Sequence, residues 1–213
     1  HKIDIERAML FGMKGSQSGI QYSDGIVGHI IKNGGTPSDG TIGSYSEGLP
    51  YLATYATSEL TYDGLLSAFE VMYDPARGGS SAKLCLASLP VVSHFNKLGG
   101  FVDQSFSGEG RYNFERAQGS FGHKVMRVET VHGDCSIVKE PLFRNNASGH
   151  MAFVDLDHVS YRPLVGNGIN RDTSIQTNVQ GADEDLRKDM ILTEAGLEVS
   201  LPEAHALINL EDV

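Results

Sequence analysis

The stretch "TYDGLLSAFEVMYDPARGGSSAKLCLASLPVVSHFNKLGG", residues 61–100, holds three well-marked elements in a row. Thr61 stands where an N-cap hydroxyl belongs, and Asp63 falls in the first turn, where the helix dipole favours a carboxylate. Leu65, Leu66, Phe69, Met72 and Tyr73 then form one apolar stripe. The spacing predicts a helix that stops near Asp74-Pro75, because proline restricts the residue before it. After the turn "ARGGSS", the apolar run "AKLCLAS" suits a buried strand. Ser88 can cap a second helix, Pro90 is tolerated in its first turn, Val92, Phe95 and Leu98 share a face, and Gly99 closes it. The unit reads helix, strand, helix.

Upstream, Ile5, Ala8 and Met9 repeat at the spacing of one helix face, and Gly12 sits where a left-handed C-terminal cap would fall. No N-cap precedes this helix, so it reads as the tail of a longer one. The glycines of "GMKGSQSG" follow a helix instead of preceding one, and Lys14 lacks the Ser or Thr of a phosphate loop, so the stretch serves backbone geometry. From Gly12 to Ser58 the chain is loop-rich, with one short strand expected at "IVGHIIK" (26–32). Downstream, residues 100–122 lack periodicity and predict a long exposed loop. Strand candidates follow: "KVMRVETVH", turning at Gly133-Asp134 into "CSIVKEPLF", then "HMAFVDLDHVSYRPL". Leu197, Val199 and Leu201 alternate with polar residues as in a half-buried strand.

Composition narrows the function. The chain has 213 residues, 40% of them hydrophobic, enough to bury a core. Its net charge of -10 argues against a sequence-independent grip on nucleic acid, which needs a cationic surface to displace counterions. No run approaches the roughly 18 apolar residues that suggest a membrane span. Two cysteines, Cys85 and Cys135, lie in apolar strand-like runs and read as reduced core thiols.

Candidate chemistry is sparse. "VHGDC" gathers His132, Asp134 and Cys135, but a tight hairpin turn explains the cluster, and catalytic partners usually converge from separate segments. "FVDLDHV" offers Asp155, Asp157 and His158; on a strand the two carboxylates would share one face and the histidine would point to the other, short of a metal site. "DEDLRKD" (183–189) reads as a solvated face. "SYSEGLPYL" (44–52) and "RPL" (162–164) combine aromatic, arginine and apolar residues in expected loops, a composition enriched at interfaces. No catalytic, cofactor-binding or metal-binding residue is assigned. An enzyme, hydrolase-like, would require convergence of these groups in a pocket; a carbohydrate-binding or adhesion module would be expected to present exposed aromatics, and the chain has no tryptophan.

The order of elements says more. "ERAMLFG" ending a helix, "TYDGLLSAFEVMY", "AKLCLASLPVVSHFNKL" and the closing "MILTEAGLEVSLPEAHALINL" together resemble the major capsid proteins of tailed bacteriophages, those with the Hong Kong 97-type fold. The resemblance implies an α+β fold with peripheral and axial subdomains. Residues 1–57 would be the first peripheral part, with the end of the spine helix, 58–168 the axial domain, and 169–213 the return to the peripheral domain with its closing strand. The N-terminal arm and extended loop of that family would be missing, so this piece would assemble poorly alone. The implied function is structural and non-enzymatic: copies of the subunit form hexamers and pentamers of an icosahedral shell around double-stranded DNA, without sequence-specific binding, cofactor or membrane. Portal, scaffold or decoration proteins are the further partners it implies. The implied location is the virion, assembled in the host bacterial cytoplasm.

Overall fold

The computed structural model describes residues 2–17, 20–34, 38–39, 49–104, 114–118, 124–166, 169–170, 172–181, 183 and 185–212. In chain order the elements are α1 (Lys2–Phe11), β1 (Gly15–Gln17), β2 (Ile20–Tyr22), α2 (Ile26–Asn33), β3 (Ser38–Asp39), β4 (Tyr51–Ala56), α3 (Tyr62–Met72), β5 (Ala82–Ala87), α4 (Leu89–Gln104) and β6 (Phe114–Gln118). They continue with β7 (Lys124–Glu129), β8 (Asp134–Lys139), β9 (His150–Val154), β10 (Val159–Pro163), β11 (Val165–Gly166), β12 (Ile169–Asn170), β13 (Thr173–Gln176), β14 (Met190–Thr193), β15 (Ala195–Val199) and β16 (Ala206–Glu211). The fold class is α+β. Two compact units divide the chain: His1–Gly28 with Ser160–Val199, and His29–Val159 with Ser200–Val213.

The second unit is built on an eight-stranded mixed sheet in the order β3-β4-β16-β9-β5-β8-β7-β6. β16 runs parallel to β4 and antiparallel to β9, and β5 runs antiparallel to β9 and parallel to β8. Alternation explains the inward set: Tyr51, Ala53 and Tyr55 of β4, and Lys83, Cys85 and Ala87 of β5, are buried at every second position. α3 supplies Leu65, Ala68, Phe69 and Met72 to the same core, and Phe69 meets Phe153 edge to face at 5.8 Å between ring centroids. The Thr61 hydroxyl accepts the Gly64 N–H, the cap that the sequence predicts.

Several expectations are corrected. "IVGHIIK" is helix α2, not a strand: Ile26, Val27 and Ile30, spaced i, i+1 and i+4 as on one helix face, are buried while Lys32 and Asn33 are exposed. Gly99 does not end α4, which continues to Gln104; glycine costs a helix interior only about 1 kcal/mol. In α4 Val91 and Phe95 are buried and Val92 is half-buried, and the side chain of Leu98 lies outside the described residues. Within 100–122 the chain forms the end of α4 and strand β6, paired to β7; residues 105–113 and 119–122 lie outside the described residues. Strands β1, β2 and β4 occupy a region expected to be loop. The run at 150–164 breaks after Val154, and the closing stretch forms three strands, with Leu201 in a left-handed conformation (φ 53°) beyond the end of β15.

In the first unit, Gly12 is needed for close approach, not for a left-handed cap. Its φ is not positive. A Cβ there would come within 2.4 Å of the Ala8 carbonyl oxygen and 2.5 Å of that of Ser23. The Gly25 N–H donates to the Gly12 carbonyl at 2.8 Å, and a Cβ on Gly28 would lie 2.4 Å from the same oxygen. Three glycines thus let the end of α1 and the start of α2 run backbone to backbone.

Candidate functional site

The groups with chemical potential lie at one end of the eight-stranded sheet, where β5 and β8 begin and β9 ends. Lys83 occupies an inward position of β5, so alternation drives its ammonium into the interior with Cys85 and Ala87. Burial there is offset by specific partners. Its Nζ donates to the Ala204 carbonyl at 2.8 Å, lies 3.7 Å from Asp155 Oδ2, and sits 5.3 Å from the centroid of the Tyr73 ring. Both side chains of the ion pair are 1% exposed.

Asp155 is the hub. β9 ends at Val154 because Asp155 caps a 3-10 turn over Leu156–His158: Oδ1 accepts the Asp157 N–H at 3.1 Å, and Oδ2 accepts the Ser80 N–H at 2.6 Å. Burial alone would raise its pKa, but the Ser80 and Asp157 amides and the Lys83 charge outweigh it and hold the carboxyl below its ordinary range. Burial lowers the pKa of Lys83, a fall that Asp155 opposes. His205 completes the cluster: its Nδ1 accepts the Asp155 N–H at 3.1 Å, which places the ring proton on Nε2. Burial and then the neighbouring Lys83 charge bring its pKa down to about 4. Arg77, also buried, donates from Nη1 to the Glu203 carbonyl at 3.0 Å. These contacts tie residues 77–83, 155–157 and 203–205 together.

The sequence candidates take separate roles in this frame. Asp155 and Asp157 do not share a strand face; the first is buried in the ion pair and the second is an exposed turn residue. His158 is half-buried, with Nδ1 3.3 Å from the Ser200 hydroxyl. His132 lies in the β7–β8 turn, where the Thr130 hydroxyl accepts the His132 and Gly133 N–H groups. The Asp134 carboxylate accepts from Arg127 Nη2 at 2.7 Å. Cys135 stands opposite Lys83 in the β5–β8 register, but its thiol is buried, as is that of Cys85, whose pKa burial pushes up. So the fold brings Asp155 and Cys135 to Lys83 and leaves His132, Asp134 and His158 outside that contact set. A groove lined by Ser80, Ser136, Leu156 and Asp157, together with Lys83 and Asp155, opens beside the pair. The ionic groups it reaches are paired with one another, so the cluster holds these segments together.

Lys83, Arg77 and His205 escape a motif-based reading, because no short pattern joins positions more than a hundred residues apart. One signal is present: in "KLCLA" the lysine falls on the alternation that carries Cys85 inward. Among the described residues, no group of three or more His, Cys, Asp or Glu is placed to hold a metal ion, and no helix is long and apolar enough to cross a membrane.

The interface candidates fare differently. In "SYSEGLPYL", residues 44–48 lie outside the described residues, and Tyr51 is a buried β4 residue whose hydroxyl lies 2.8 Å from that of Tyr55, so it belongs to the core and not to an exposed loop. In "RPL", Arg162 pairs with Glu198 across β10 and β15, and Leu164 is exposed. Within "DEDLRKD", the described residues are exposed and Arg187 pairs with Asp189 at 3.3 Å. They belong to the connection between β13 and β14, a two-stranded ribbon in which Ile175 and Ile191 stand directly opposite each other.

A family model described as SU10 major capsid protein matches residues 1–212. No curated protein matches the chain. A solved structure from Mycobacterium phage Patience is similar at 14% identity and a TM-score of 0.45, over 97% of this chain and 60% of that one, so the chain spans about three fifths of that protein's length.

Proposed function

This chain belongs to the SU10 major capsid protein family, and from that premise we propose that it works as a structural subunit of a bacteriophage shell, with the Hong Kong 97-like arrangement of peripheral and axial subdomains. The observation that carries the reading is the family match across residues 1–212. On this reading, copies close into hexamers and pentamers, since closed symmetry reuses the same surfaces at every contact, and these tile an icosahedral shell around double-stranded DNA. The axial domain spans about 58–168, and the segments 1–57 and 169–213 belong to the periphery. The net charge of -10 suits a container that holds DNA without adhering to it. The buried Lys83–Asp155 pair then serves the rigidity of the subunit. Assembly takes place in the host bacterial cytoplasm, and portal, scaffold or decoration proteins are its further partners.

The test is the mass distribution of the natural full-length protein by light scattering and negative-stain microscopy. Rings or closed shells with five- and sixfold views are expected. Persistent monomers at high concentration and high salt would overturn the reading.

A further inference from the structure

The turn that leads into β16 is held in an unfavourable shape. Leu201 sits at φ 53° and ψ 67°, in the left-handed region, directly before Pro202. A residue with a Cβ is crowded there by its own carbonyl, and a following proline favours extended backbone at this position. The turn is closed by contacts to three successive carbonyls beyond it. Glu203 accepts from Arg77 Nη1 at 3.0 Å, Ala204 from Lys83 Nζ at 2.8 Å, and His205 from the Tyr51 N–H at 3.3 Å. These donors come from three separate segments, and two of them are buried cations.

The His205 ring lies among these groups, 1% exposed, and its Nδ1 accepts the Asp155 N–H only while that nitrogen is unprotonated. Lys83 from β5 and His158 from the turn after β9 disfavour a charge on the ring, and Asp155 opposes them. The Asp155 carboxylate is already engaged by Lys83 and by the Ser80 and Asp157 amides. Tyr51 of β4 keeps its hydroxyl against that of Tyr55, and Arg77 meets Glu203 at the backbone. A proton on Nδ1 therefore acts twice: it leaves the Asp155 N–H facing a donor, and it sets a further positive charge beside Lys83.

We propose that Ser200–His205 is an acid-operated latch, closed against the strain at Leu201 by Lys83, Arg77 and Tyr51, and opened by protonation of His205 while the eight-stranded sheet stays paired. The closed latch excludes the proton, and the open one exposes an ordinary imidazole. Opening is therefore insensitive to pH above 6.5, the ordinary histidine value, and becomes easier as pH falls from there towards 4. The latch belongs to the single chain and does not depend on the capsid reading.

Amide exchange of the natural full-length subunit tests this, followed residue by residue by NMR and normalised to the unstructured rate at each pH. Protection of the Asp155 and Ala204 amides should fall together by at least about tenfold between pH 6.5 and 4.5. At both values it should stay at least about tenfold below that of Cys85, Phe153 and Ile208 in the sheet. Equal protection in turn and sheet would mean that only global unfolding opens the turn, and a flat profile would mean that His205 is not the trigger; either result overturns the proposal. His205→Gln, neutral throughout, should abolish the fall at Ala204, and a fall that persists contradicts the assignment of the trigger. Leu201→Gly, which takes the left-handed conformation without a Cβ, should raise Ala204 protection about threefold at pH 6.5; no gain would show that the turn holds no strain.

Discussion

Lys83 and Asp155 face each other at 3.7 Å in the interior of the larger unit, joining the start of β5 to the turn that follows β9. Removing one partner of a buried ion pair leaves the other charge unpaired, at a cost of about 3–5 kcal/mol. Lys83→Met should therefore destabilise the protein by that order in urea or thermal unfolding. Asp155→Ala should cost more, since the Ser80 and Asp157 amides lose their acceptor as well. Lys83→Met combined with Asp155→Asn should recover part of the single-variant loss, because no unpaired charge remains.

His205 gives the unit a defined response to acid. Its folded pKa of about 4 lies below the ordinary histidine value, so between pH 6.5 and 4 the unfolded chain binds the proton and the folded one does not. Stability is full above pH 6.5 and falls as pH drops towards 4, by about 3 kcal/mol at most from this residue. The lowered pKa of His150, due to burial, adds a loss of the same sign, and the depressed carboxyl of Asp155 adds a further loss at more acidic pH. Denaturant midpoints measured across pH 4–7 should show this slope, and His205→Gln should flatten it.

Glycine substitutions should separate steric need from tolerance. Gly149→Ala would put a Cβ 1.9 Å from the Leu210 carbonyl oxygen, where β9 meets β16, and should lower the unfolding midpoint sharply. Gly12→Ala should loosen the α1–α2 backbone contact, read as faster proteolysis in residues 12–25. Gly166→Ala, with nothing within 4 Å of the new Cβ, should change the unfolding free energy by less than about 0.5 kcal/mol.

Thr61→Ala removes the hydroxyl that accepts the Gly64 N–H at the start of α3. A loss of about 1 kcal/mol is expected from thermal unfolding. Thr61→Ser should retain most of the stability, since it keeps the accepting oxygen.

What was legible in the sequence was local. α3 announces itself through a cap, an acidic first turn and a 3.6-residue stripe, and β5 through a short apolar run between turn and cap. α2 carries a helix signal, with Ile26, Val27, Ile30 and Ile31 at i, i+1, i+4 and i+5, but in a seven-residue run whose apolar content also suits a short strand. β4 escaped because its inward set, Tyr51, Ala53 and Tyr55, includes a weak strand former, and its partner β16 lies some 150 residues away. Asp155 reads as a strand residue until its carboxylate is seen capping the turn. The Lys83–Asp155–His205 cluster is assembled by the sheet topology, which no local pattern encodes. Family-level function was carried by the order of elements, while single candidate residues said little.

The most direct measurement is an icosahedral cryo-microscopy reconstruction of shells assembled from the natural full-length protein. The account predicts closed shells in which α3, α4 and strands β5, β7, β8 and β9 surround the five- and sixfold axes. Filaments or discrete low-order oligomers without five- and sixfold capsomers would contradict it.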